Sequence, residues 1–228
     1  MAEVEIRRKI NIGEVVQKAR VFNFKNVPHD AMSDVPLPQV VSRLFSLLRE
    51  RGIDYMLVGG IAMLQYVEGR NTEDIYLIVA VEALEKLPEI TLSGRDAWFA
   101  RGTFSGLKID FLLTNNPFFE HIRRRHVVRH SFYEEDILTA SVEGLLLLKG
   151  YALPSLYRQG SFTRVGLYEN DIATLIYAYR PDLGTLFEEW APFMSAADLS
   201  ALRGIIDEIM ERIERFSRGL GEDETAEG

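Results

Sequence analysis

Asp54-Tyr55-Met56-Leu57-Val58-Gly59-Gly60-Ile61-Ala62-Met63-Leu64 is the stretch on which the fold turns. Asp54 to Val58 suits a short buried strand, and it gives way without a spacer to two glycines. Apolar residues then recur at Ile61, Met63, Leu64 and Tyr66, the spacing of a helix. The order is strand, tight turn, helix. Two residues without Cβ let the backbone approach a ligand closely and turn its N–H groups outward. A helix N-terminus adds partial positive charge at the same place. Gly59 and Gly60 are therefore candidate phosphate-binding residues, the plain alternative being a turn that holds nothing.

Upstream, Val40, Val41, Leu44, Phe45, Leu47 and Leu48 have helical spacing after Pro36 and Pro38, and Gly52 closes that helix. Downstream, Glu68-Gly69-Arg70-Asn71-Thr72 is a polar loop, and Asp74 to Val79 returns as a strand rich in branched side chains. Val81 to Leu87 is a helix candidate. Trp98 to Thr103 and Leu107 to Leu113 read as two strands joined at Phe104-Ser105-Gly106. Residues 118 to 130 fit no single element. From Glu134 the pattern is helical: Ile137 to Tyr151, Glu169 to Tyr179, Leu183 to Trp190, and Ala196 to about Arg218. The expected organisation is an N-terminal appendage over 1–35, an α/β core over 36–135, a helical region over 136–220, and a disordered acidic tail over 221–228.

Asp74 opens an otherwise apolar strand, and Asp110 lies inside Leu107-Lys108-Ile109-Asp110-Phe111-Leu112. A carboxylate in a buried strand is costly unless it is paired, hydrogen-bonded or bound to a cation. Two in one small sheet suggest a shared cation, unless each stands at an edge that water reaches. The absence of cysteine leaves oxygen or imidazole as ligands, which favours a hard cation such as Mg²⁺. Arg70 and Thr72, on the loop before Asp74, either touch phosphates or cap the strand. Lys149, after Leu145 to Leu148, is either a surface lysine snorkelling from an apolar face or a partner for a triphosphate.

The chain has 228 residues, 47% of them hydrophobic, enough to bury a substantial core in one domain or two small ones. A net charge of -8 argues against a protein that coats nucleic acid, so a polyanion must find a local patch. His121-Ile122-Arg123-Arg124-Arg125-His126-Val127-Val128-Arg129-His130 is such a patch: it either holds RNA phosphates or pairs within the molecule. No run is long and apolar enough for a bilayer, and no signal peptide is visible, so a cytoplasmic location is expected.

Val58-Gly59-Gly60-Ile61-Ala62, Arg70-Asn71-Thr72-Glu73-Asp74-Ile75-Tyr76-Leu77 and Lys108-Ile109-Asp110-Phe111 together resemble the polymerase-β-like nucleotidyltransferase superfamily. The closer likeness is to its minimal, AbiEii-like branch. It continues through Ser141-Val142-Glu143-Gly144-Leu145-Leu146-Leu147-Leu148-Lys149 and Tyr168-Glu169-Asn170-Asp171-Ile172. The resemblance implies a nucleotidyltransferase-like mixed sheet flanked by helices, a nucleoside triphosphate and Mg²⁺ as ligands, and Asp74 and Asp110 as catalytic and metal-holding residues. Gly59, Gly60, Arg70, Thr72 and Lys149 would then bind nucleotide. It also implies an RNA, protein or small-molecule hydroxyl as acceptor, and a toxin role with an antitoxin partner.

One position departs from the pattern. Two residues after Asp74, where the resembled family has a second carboxylate, stands Tyr76. A phenol with pKa near 10 is a poor Mg²⁺ ligand. Glu73 cannot replace it, because it points to the opposite face of the strand. Transfer should suffer more than nucleotide binding, so two readings stay open: a nucleotidyltransferase, or a catalytically degenerate module on the same fold.

Overall fold

The computed structural model describes residues 37–67, 74–132 and 135–223, which fall into two compact units meeting in sequence at Ser141 and Val142. The N-terminal appendage, Arg70, Thr72 and residues 224–228 lie outside the described residues. Among the described residues no helix is long and apolar enough to cross a membrane.

The first unit is a mixed seven-stranded sheet with helices. Helix α1 (Leu37–Glu50) buries Val40, Val41, Leu44, Phe45 and Leu48 as one apolar stripe. Its end is a Schellman motif: Gly52 takes a φ of +59°, the Gly52 amide donates to the Arg49 carbonyl at 3.0 Å, and Ile53 to Leu48 at 2.9 Å. Strand β1 (Tyr55–Val58), buried throughout, leads directly into α2 (Gly59–Met63). Strand β2 (Ile75–Val79) returns antiparallel to β1, followed by the short α3 (Val81–Glu85). Strands β3 (Thr91–Arg95), β4 (Phe99–Phe104) and β5 (Leu107–Leu113) form an antiparallel meander, and β5 runs parallel to β2.

Helix α4 (Pro117–Arg125) is capped by the Asn116 side chain, which accepts the Phe118 amide at 2.9 Å. Strands β6 (Val127–Phe132) and β7 (Glu135–Ala140) complete the sheet in the order β3-β4-β5-β2-β1-β7-β6, with β7 parallel to β1. The helical pattern expected from Ile137 is thus corrected over its first residues, which form a strand. Ile137 and Thr139 suit either state, and the partner that decides is remote: Thr139 pairs with Leu57. The residues that fitted no element, 118–130, divide between α4 and β6.

The sheet is unevenly covered. β1 is buried on both faces, whereas β4 and β5 alternate between buried and open residues along their length. Ala100, Phe104, Leu107, Ile109, Phe111 and Leu113 face the core. Phe99, Arg101, Thr103 and Lys108 face solvent.

The second unit is helical: α5 (Val142–Arg158), α6 (Phe162–Tyr179), α7 (Leu183–Trp190), a 3-10 turn (Ala191–Phe193) and α8 (Ala196–Asp223). The final helix runs beyond Arg218, where the tail was expected to begin soon after. Its core buries Leu146, Leu153, Ile172, Leu175, Leu202, Ile206 and Trp190, whose indole N–H donates to the Leu147 carbonyl at 2.9 Å. Asp182 caps α7 by accepting the Gly184 amide at 2.9 Å and the Thr185 hydroxyl at 2.8 Å.

Candidate functional site

Strand register lines up four residues from four neighbouring strands. Val58 on β1 pairs with Tyr76 on β2, Tyr76 with Asp110 on β5, and Asp110 with Arg101 on β4. Directly paired residues share a face, so these side chains form one row across the sheet, with about 4.8 Å between strands. Asp74 immediately precedes β2. By alternation it stands on the face of Tyr76, about 7 Å further along. Extending the β2/β5 register one step places it opposite Lys108. The two aspartates singled out in the sequence therefore occupy one face of adjacent strands, diagonal to each other, with Tyr76 next to both.

Gly59 lies at the end of the row. Its φ is +72°, which favours glycine, and a Cβ built there would stand 2.8 Å from Tyr76 Cδ2 and 3.0 Å from Cγ. The close approach that Gly59 permits is thus taken up by the Tyr76 ring. Gly60 is buried within α2. That helix has only five residues before it passes into turns, so it offers little macrodipole.

Asp110 also has a partner. The Arg101 Nε–H donates to its Oδ1 at 3.2 Å, and the side chains are 70% and 25% exposed respectively. Arg101 was not singled out in the sequence, although the signal for it was there: a two-residue turn at Ser105-Gly106, counted outward, sets Arg101 opposite Asp110. The same guanidinium adds a small share to the lowering of the Asp96 carboxyl pKa, caused mainly by the Trp98 and Phe99 amides that it accepts.

Lys149 belongs to the second unit and is buried. Its ammonium donates to the Asp171 carboxylate at 2.6 Å and lies 4.5 Å from the Tyr168 ring centroid. Both residues sit deep among helices α5 and α6, which removes the snorkelling reading. The basic segment is largely paired at home. Arg123 bonds Glu120 and Asp54, Arg124 bonds Glu120, and Arg129 approaches Asp136 at 4.0 Å. The Arg123 guanidinium, more than Arg124, holds the Glu120 carboxyl below its usual range. This internal pairing weakens the case for an RNA-holding patch there.

The Mg²⁺ that the resemblance implies can be tested against these donors. Asp74 and Asp110 are two carboxylates, one of them bonded to a guanidinium, and the residue directly opposite Asp110 is a phenol. Among the described residues no third Asp, Glu or His side chain joins them within reach of one ion. This set does not fit the ion pair that a two-metal displacement requires.

No protein-family model matches the sequence, and no curated protein matches it. Among solved structures, the chain is similar to an antigenic nucleotidyltransferase-like protein from Paracoccidioides brasiliensis, at 19% identity and a TM-score of 0.46 over 73% of this chain and 91% of that one. It is similar to the antibiotic-resistance factor ANT(2'')-Ia in solution, at 12% identity and a TM-score of 0.47 over 80% of this chain and 97% of that one. The crystal structure of ANT(2'')-Ia with adenylyl-2''-tobramycin gives 10% identity and a TM-score of 0.47 over 68% and 95% of the two chains. At such identity and overlap the similarity says nothing about substrate, metal or partner.

Proposed function

We propose that this chain is a nucleotide-binding protein of nucleotidyltransferase-like build whose capacity for metal-assisted transfer is lost at Tyr76. The observation that carries this reading is the row Val58, Tyr76, Asp110, Arg101. The position at which the resembled family places a second carboxylate faces Asp110 directly, and here it presents an aromatic ring that rests on Gly59. Phosphoryl transfer depends on positioning and on charge stabilisation by metal ions, so removing one bridging carboxylate takes away more of the chemistry than of the binding. A nucleoside triphosphate is the ligand class favoured. The open face of β4 and β5 gives it a surface with both signs of charge, Asp74 and Asp110 against Arg101 and Lys108.

The test offers the four ribonucleoside triphosphates, with and without Mg²⁺. The melting temperature is followed in parallel with transfer of label from the nucleotide to RNA, to protein and to the chain itself. At least one triphosphate should raise the melting temperature by mass action, with no label transferred. Transfer by the wild type that Asp74→Ala abolishes would overturn the loss of chemistry. No stabilisation by any of the four would overturn nucleotide binding.

A second reading keeps the activity, and the placement of Asp74 and Asp110 on one open face favours it. In that reading Asp110 accepts the proton of the attacking hydroxyl, which belongs to RNA, a protein or a small molecule. The toxin role and the antitoxin partner go with this reading alone.

A further inference from the structure

We infer that Arg101 provides the positive charge of this site: its guanidinium receives the phosphate chain of the ligand, and binding requires no metal ion. The inference rests on the nucleotide-binding reading above and deepens it. The starting point is that the metal-holding set is incomplete, while a fixed cation stands on the remaining carboxylate. Arg101 is the direct cross-strand partner of Asp110 and uses only its Nε–H to reach it, at 3.2 Å. Among the described residues Asp110 is the one hydrogen-bond partner of its side chain, so neither terminal amino group of this largely exposed fork is bonded by them. That is the edge of a guanidinium suited to a phosphate, two parallel N–H groups of matching geometry.

The anchor and the donors are also differently placed. The Asp110 side chain is 25% exposed and held within the ladder, while the Arg101 side chain is 70% exposed on the open face. A carboxylate that orients an arginine from behind leaves its front free to meet an anion. Lys108 is exposed on the same face of β5, two residues from Asp110.

Charge counting makes Tyr76 part of the same arrangement. A phosphate chain arriving without a metal is repelled by every carboxylate it passes. With Tyr76 in the row, Asp74 and Asp110 on this face stand against Arg101 and Lys108, and Asp96 is a further carboxylate within electrostatic reach of Arg101. A carboxylate in place of the phenol would add one more negative charge directly opposite Asp110. The substitution that spoils a metal pair therefore suits a site that takes phosphate directly. A divalent cation entering at Asp110 would, in contrast, meet the guanidinium already bonded there and be repelled by it.

The experiment is calorimetric titration of the full chain with ATP and with inorganic tripolyphosphate, in EDTA and again in excess Mg²⁺. Wild type should bind both phosphate chains in EDTA, and Mg²⁺ should change the affinity by less than about threefold. Arg101→Gln should weaken metal-free binding tenfold or more, and Arg101→Lys should fall between, because a lysine cannot form the fork. Both variants should melt with wild type in the absence of ligand, since the side chain is exposed. Binding only in Mg²⁺, kept or strengthened by Arg101→Gln, would overturn the inference and leave the nucleotide-binding reading standing. Metal-free binding unaffected by Arg101→Gln, or binding of ATP but not of tripolyphosphate, would overturn it as well. No binding by wild type in either condition would remove both the inference and the reading beneath it.

Discussion

Gly59 is fixed by two constraints at once, a φ of +72° and an aromatic ring 2.8 Å from where its Cβ would stand. The first costs an alanine on the order of 1–2 kcal/mol through the left-handed backbone. The second adds the displacement of a ring whose β-carbon is fixed to the Cα of a strand residue and cannot retreat. A double-mutant cycle separates them. Gly59→Ala should destabilise wild type more than it destabilises a Tyr76→Ala background, with a coupling of at least about 0.5 kcal/mol in urea unfolding. Equal costs in both backgrounds would mean that the dihedral alone requires glycine. At this scale the sequence was half legible. That Tyr76 shares a face with Asp74 follows from two-residue alternation along a strand, whereas the contact between Tyr76 and Gly59 depends on the pairing of β1 with β2.

Two helical glycines show how packing and intrinsic preference compete within an element. Alanine is favoured over glycine inside a helix by about 1 kcal/mol. At Gly166, in α6, an added Cβ meets nothing within 4 Å, so Gly166→Ala should stabilise the protein by up to about that amount. At Gly150, in α5, the same Cβ would stand 2.4 Å from Trp190 Cζ2, and Trp190 is buried with its N–H held by Leu147. Overpacking of about 1–3 kcal/mol should outweigh the helix preference, so that Gly150→Ala lowers the urea midpoint while Gly166→Ala raises it. A rise in both would mean that the Trp190 ring can move aside. The β4–β5 hairpin is the element that the sequence specified best. Ser105 and Gly106 adopt φ values of +49° and +81°, a two-residue turn of the primed kind, and that turn alone sets the register through to Arg101 and Asp110. Strand β7 is the contrary case, because its run of residues suits helix or strand until β1 lies beside it.

Across the whole molecule, the two tryptophans fall one to each unit. Trp98, in the sheet unit, is 52% exposed, and Trp190, in the helical unit, is 1% exposed. Trp98→Phe should therefore shift the emission to shorter wavelength and remove the component readily quenched by acrylamide. A variant that stays as accessible to quencher as wild type would contradict the burial of Trp190. By itself the sequence determined the local pieces: strand, glycine turn and helix at residues 54–64, the β4–β5 hairpin, and the helical character of the C-terminal part. Each of these is written in spacing that short-range sterics and hydrophobic periodicity enforce. Only the tertiary structure decided that β7 is a strand, that Lys149 is bonded to Asp171, and that Tyr76 packs on Gly59 and pairs across strands with Asp110. Those contacts join residues far apart in the chain, and hydrogen bonding between strands and burial between helices select them only once the remote partner is in place.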